Sequence, residues 1–249
     1  MRNGRYEMDF DHAAEAVKAQ GASMVILCSP HNPSGRVWER AELEALAAFA
    51  TEHELVLVSD EIHHDLVLGE VKHTAMALIE GIADRLVMMT ASTKTFNIAG
   101  AHIGNVIIAD PVLRQRFSDV INKMGISPNS FGMHMATAAY SPEGAAWVDA
   151  LNLYLDRNRK TFDAAVNAIP GVKSMPLQAT YLSWVDFTGT GMTEAEFTAR
   201  VANVARIATN QGSAFGLGGE TYLRFNIAMP HSQIVEAAAR LTAAFKDLQ

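Results

Sequence analysis

Four runs of aliphatic residues, almost free of polar interruption, constrain this chain more than any other feature. They are MVILC (24–28), LVLV (55–58), LVMMT (86–90) and NVIIA (105–109). A strand with one wet face alternates polar and apolar residues. These runs do not alternate, so each reads as a strand buried on both faces. Between them the spacing becomes helical. Leu43, Leu46, Ala47 and Ala50 share one face of a helix over 39–53, and Pro111 suits the first turn of a helix after the fourth run. Buried strands separated by helices predict an α/β fold with a mostly parallel sheet covered on both sides.

The pattern changes near residue 150. Trp147, Leu151, Leu155, Phe162 and Val166 follow the spacing of one long helix, and Trp147 is expected in the core. From Tyr181 to Phe187 the period drops to two. A helix over 194–204, a strand over 222–227 and a helix from Ser232 to the C-terminus complete a smaller α+β unit. The expectation is a large unit over 1–150 and a small C-terminal unit over 151–249.

Composition removes several function classes. With 249 residues, 49% of them hydrophobic, the chain can bury a full core. The net charge of -7 offers no basic stripe for nucleic acid. No apolar run approaches the roughly 20 residues of a membrane span, and the opening stretch MRNGRYEMDFDH is too polar for a signal peptide. Cys28 is the only cysteine, which fits a reducing, cytoplasmic setting. No CxxC, HExxH or EF-hand pattern points to a metal.

In an open α/β sheet, ligands bind beyond the carboxyl ends of the strands. Three polar clusters fall at such ends: His31-Asn32, Asp60 to His63, and Thr93-Lys94. They supply an amide, a carboxylate, an imidazole and an amine. An amine held there can bond to a carbonyl cofactor, and a carboxylate can hold a pyridinium proton. These are the parts of a pyridoxal 5′-phosphate (PLP) site. Each residue also has an ordinary reading. Lys94 can be a surface lysine, Asp60 a helix N-cap, Asn32 a turn initiator before Pro33, and His63 a packed histidine.

The segments SPHNPSGRVW, VSDEIHHDLV, TKTFNIAG and YLRFNIAMP stand in this order along the chain. Together they resemble the class I/II aminotransferase superfamily, PLP fold type I. Within it they look most like the cystathionine β-lyase-like (MalY/PatB-type) C–S lyases. The resemblance implies a role for each motif residue. Lys94 matches the lysine that bonds to the cofactor aldehyde and moves the proton at the substrate Cα. Asp60 matches the carboxylate paired with the pyridine nitrogen. At about 4 Å and an effective dielectric near 20, such a pair favours the protonated ring by roughly 4 kcal/mol. Asn32 matches the amide that meets the cofactor's phenolic oxygen and the substrate, and His63 falls near the same oxygen. Arg224 matches the arginine that grips the α-carboxylate, and Thr93 is a phosphate ligand. Arg224 in a strand can also serve a structural ion pair.

Two departures from the family pattern stand out. His102 occupies the position, eight after the lysine, where many relatives place a phosphate-binding arginine. The family's N-terminal portion, with its phosphate-binding helix and ring-stacking aromatic, has no counterpart in these residues, so the large unit is expected to be incomplete. The resemblance implies a homodimer that takes a small amino acid. It implies three functions in turn: a C–S β-lyase, an aminotransferase, and a fragment without catalysis.

Overall fold

The computed structural model describes residues 4–248. The first residues of the polar opening stretch, and the final residue of the expected C-terminal helix, lie outside the described residues. Helix α1 (Phe10–Gln20) was not foreseen. Asp9 caps it by accepting the His12 N–H at 3.0 Å, and Gly21, at φ 62°, closes it in the left-handed region. Strand β1 (Met24–Cys28) leads through a tight loop to α2 (Arg40–Glu52). Then come β2 (Val56–Asp60), β3 (Leu86–Thr90), the single turn α3 (Ser92–Thr95) and β4 (Asn105–Ile107). The sheet order is β1-β2-β3-β4, with β1, β2 and β3 parallel and β4 antiparallel to β3.

The expectation of cover on both faces fails on one side. Leu27 and Leu57 pack with Leu43, Leu46 and Phe49 of α2 in one core. On the opposite alternation of β1, Met24 is 50% and Ile26 69% exposed. The fourth run also departs from its reading: Asn105, Val106 and Ile107 form an exposed edge strand. An aliphatic run shows that a strand tolerates burial. It does not show what lies over each face.

Pro111 does begin α4 (Pro111–Lys123), with Asp110 accepting the Leu113 N–H. Helix α5 (Ser130–Ala139) follows, then the long α6 (Pro142–Asn167). Gly144 is needed at the start of α6, because a Cβ there would lie 2.0 Å from the Ala139 oxygen. Leu155, Phe162 and Val166 of α6 are buried, but Trp147 is 47% exposed, contrary to the core expectation.

The second sheet comprises β5 (Lys173–Ser174), β6 (Leu182–Asp186), β7 (Asn210–Gln211) and β8 (Tyr222–Asn226), in the order β5-β6-β8-β7 and antiparallel throughout. Helix α7 (Glu194–Ala199) passes into a π turn over Arg200–Val204, where one α-helix was expected. The wider turn keeps Phe197, Val201 and Ala205 together in the core. Helix α8 (His231–Ala244) packs along α6. Val185, Phe187, Leu223 and Phe225 meet Phe162, Leu241 and Phe245 in this second core.

The two sheets are stitched together by chain from the first half. Leu66 and Leu68 belong to the second core. The Thr180 N–H donates to the Leu66 oxygen and the Leu68 N–H to the Gln178 oxygen, both at 2.8 Å. Gly35, at φ 67°, lets the loop after β1 pass this seam, since a Cβ there would sit 2.1 Å from Leu177 Cδ1. Among the described residues no helix is long and apolar enough to cross a membrane.

Candidate active site

Lys94 stands on α3, immediately beyond the end of β3, and opens on a cavity of about 340 Å³. Trp147, Tyr154, Tyr181, Asn226 and Met229 line that cavity with it. The short helix is anchored on one side by Thr95, whose hydroxyl donates to Asp65 at 3.0 Å. On the other side Trp147 stacks on Phe96, with ring centroids 5.1 Å apart. The exposed tryptophan is therefore a wall of the lysine's cavity. Helical spacing alone read it as core.

Asp60 closes β2, in register between Cys28 of β1 and Met89 of β3. It shares the alternation of Val56 and Val58, away from α2. Its Oδ1 accepts the Ile62 N–H at 3.2 Å, so it caps the following turn. Its Oδ2 takes no hydrogen bond among the described residues. The next acid, Glu61, turns inward. It is 1% exposed and accepts hydrogen bonds from the Ser59 hydroxyl, the Met76 N–H and the His73 ring at 2.8–2.9 Å. The inward Glu61 pins the strand end that presents Asp60.

His63 is 3% exposed, and its Nδ1 has no partner among the described residues. Burial, with the positive charges of Lys94 and Arg224 nearby, pushes its pKa down to about 4, so the ring is neutral at pH 7. The ring meets Tyr181 edge-on at 5.7 Å. Asn32 lies in the loop after β1, between cis peptides at Ser29–Pro30 and Asn32–Pro33, and donates its N–H to the Cys28 sulfur.

Arg224 is the central residue of β8, and it crosses to the first half of the chain. Its Nη1 donates to Asn32 Oδ1 and its Nη2 to Asn210 Oδ1, both at 2.8 Å. Its Nε is buried without a partner. Burial lowers its pKa below the ordinary arginine value. No carboxylate pairs with it among the described ion pairs, so it serves no structural ion pair there. Thr93 is half-buried on α3, and its hydroxyl makes no hydrogen bond among the described residues. The neighbouring Ser92 hydroxyl is buried and unpartnered. His102 is exposed, at φ 45°.

The fold thus brings Lys94 and His63 to Tyr181, ties Arg224 to Asn32 across 192 residues of chain, and sets the charges of Lys94 and Arg224 near His63. Asp60 and Thr93 sit on the adjoining strand end and helix, and among the described residues no hydrogen bond joins either side chain to that group. Tyr181, Trp147, Asn210 and Phe215 were missed as site residues. Tyr181 had only its strand alternation to mark it, Trp147 gains its role through Phe96, distant in sequence, and Asn210 and Phe215 gain theirs through the fold of the β7–β8 segment against Arg224.

Residues 2–241 match the sequence profile of the class I and II aminotransferases, and the chain belongs to that family. It is 36% identical over 246 residues to the cystathionine beta-lyase PatB of Bacillus subtilis, covering 98% of this chain and 63% of that protein. It is 29% identical over 232 residues to the aspartate aminotransferase of Pyrococcus abyssi, covering 90% of this chain and 57% of that one. Among solved structures, cystalysin from Treponema denticola, which contains a PLP cofactor, superposes with a TM-score of 0.92 at 33% identity. The match covers all of this chain and 64% of cystalysin. The fold is that of these enzymes, and the chain spans 57–64% of their lengths.

Proposed function

We propose that this chain forms the greater part of a PLP-dependent C–S β-lyase. Such an enzyme converts an amino acid with sulfur on Cβ, plus water, into a thiol, pyruvate and ammonia. The observation that carries the reading is that three residues in or next to the motifs keep buried polar atoms without partners among the described residues, His63 Nδ1, Ser92 Oγ and Arg224 Nε, with the charges of Lys94 and Arg224 both near His63. Unpaired buried polar atoms cost about 1–3 kcal/mol each, and a bound ligand is one way to pair them. A polar, anionic, ring-shaped group suits this set.

When bound, the cofactor supplies an electron sink for the charge left at the substrate's Cα. Lys94 would hold it through its amine and take the Cα proton. Asp60 Oδ2 is free to accept the ring N–H. The oxygen of Asn32 is engaged by Arg224, which leaves its amide N–H₂ to donate to the phenolic oxygen and to the substrate. His63, neutral and dry, adds no charge beside that oxygen. Thr93 and Ser92 offer hydroxyls to the phosphate. Arg224 offers a planar fork to the α-carboxylate.

The reading carries further parts: a large cofactor unit over 1–150, incomplete in this chain, a small unit over 151–249, a homodimer, and a cytoplasmic site. The single thiol, Cys28, fits the last of these. Amino transfer is the second reading, because the same residues serve its early steps and an aspartate aminotransferase is among the relatives. Incubation with cystathionine or an S-substituted cysteine separates the two. Pyruvate release supports the lyase. Amino exchange with an added 2-oxo acid, without pyruvate, rejects it. No yellow absorption after PLP is added would make this chain a non-catalytic piece.

A further inference from the structure

Arg224 is held from three directions, and two of its holders lie outside every motif assigned above. Asn210 faces it across the β7–β8 ladder and accepts from Nη2 at 2.8 Å. The Phe215 ring lies under the guanidinium, with Cζ 4.6 Å from the ring centroid. Phe215 is itself fixed edge-on by Trp184 at 5.4 Å. Trp184 stacks on Tyr222 at 4.9 Å and donates its indole N–H to the Tyr6 hydroxyl. The loop carrying Phe215 closes backbone to backbone: a Cβ on Gly212 would lie 2.1 Å from the Gly219 oxygen.

We infer that Asn210 and Phe215 are positioning residues that fix the Arg224 guanidinium as a clamp for the carboxylate of a small organic acid or amino acid. The inference rests on the reading of Arg224 given under the proposed function and deepens it. A guanidinium has five N–H donors. One on Nη1 goes to Asn32 and one on Nη2 to Asn210, so Nε–H and one N–H on each terminal nitrogen remain. The buried, unpartnered Nε belongs to that remaining set. A carboxylate pairs with two such donors at once. A long arginine side chain loses rotamer freedom when it binds. The amide bond and the ring beneath the guanidinium spend that freedom before the ligand arrives.

The test uses the purified chain labelled with ¹⁵N-arginine. Benzoate is the anionic probe, benzamide its neutral counterpart, and the Arg224 Nε–H resonance is the readout. Asn210→Ala and Phe215→Leu are each expected to weaken benzoate binding about three- to tenfold. Benzamide binding should not change, and Phe215→Tyr should restore benzoate affinity. Both sites are accessible enough for the variants to fold, as Phe215 is 39% exposed. Affinities within twofold of the parent, a parallel loss for benzamide, or a parent Arg224 signal indifferent to benzoate each overturn the inference. PLP uptake is followed separately by absorption. If uptake fails while the benzoate pattern holds, the positioning stands and the cofactor reading falls.

Discussion

The two sheets of this molecule are built to opposite standards. The C-terminal sheet is closed. Val185 and Leu223 face α6 and α8 at 0% exposure, and on the other side Trp184 and Tyr222 stack on each other, with Phe215 edge-on to Trp184. The N-terminal sheet is half open, with α2 filling one face and Met24 and Ile26 bare on the other. The open alternation is also the one that ends in Asp60. One sheet is a packed block that holds Arg224 still. The other is a platform whose polar groups sit at its rim.

The contrast breaks first under core truncation. Phe187 is fully buried, stacked on Phe197 at 4.8 Å and tilted against Phe245. Phe187→Ala should cost about 3–5 kcal/mol in urea unfolding. A loss under 1 kcal/mol would mean that the C-terminal block is looser than its packing implies.

Acid comes next. His63 is held near a pKa of about 4, below the unfolded value near 6.5. Between those values the unfolded chain binds the extra proton, so stability falls as pH drops from about 6.5 toward 4. The loss approaches about 3 kcal/mol at the acid end. His63→Gln should flatten that slope, and an unchanged slope would assign the acid sensitivity elsewhere.

The smallest effect belongs to the open face. Ile26→Ser should shift stability by no more than about 0.5 kcal/mol. A loss of about 2 kcal/mol or more would show that something covers Ile26 in solution.

Sequence legibility varies within the half-open sheet itself. Strands β1 and β3 keep the bounds their aliphatic runs suggested, and β2 is displaced by one to two residues because Ser59 and Asp60 extend it past its apolar stretch. Local patterning suffices for the bounds of a strand paired in the sheet, even for β1, whose second face is bare. It did not distinguish the edge strand Asn105–Ile107 from a central one, because exposure leaves no mark in a short aliphatic run. The strand-end position of Lys94 was readable from its surroundings. Arg224 and Asn32 were readable from their motifs, but their direct contact was not, because it forms only when the second sheet docks on the first, and Asn210 carried no motif at all. Trp147 misled for a related reason: helical periodicity gives the face of α6 but not what that face meets at each turn.

The central claim is the proposed covalent one: Lys94, at the rim of the parallel sheet and in the cavity it shares with Tyr181, bonds to the aldehyde of PLP. Incubating the chain with PLP, reducing with borohydride and mapping the tryptic peptides by mass spectrometry tests it directly. The account predicts a reduced pyridoxyl adduct on the peptide containing Lys94, lost in Lys94→Ala. An adduct spread over other lysines, or none at all, would contradict it.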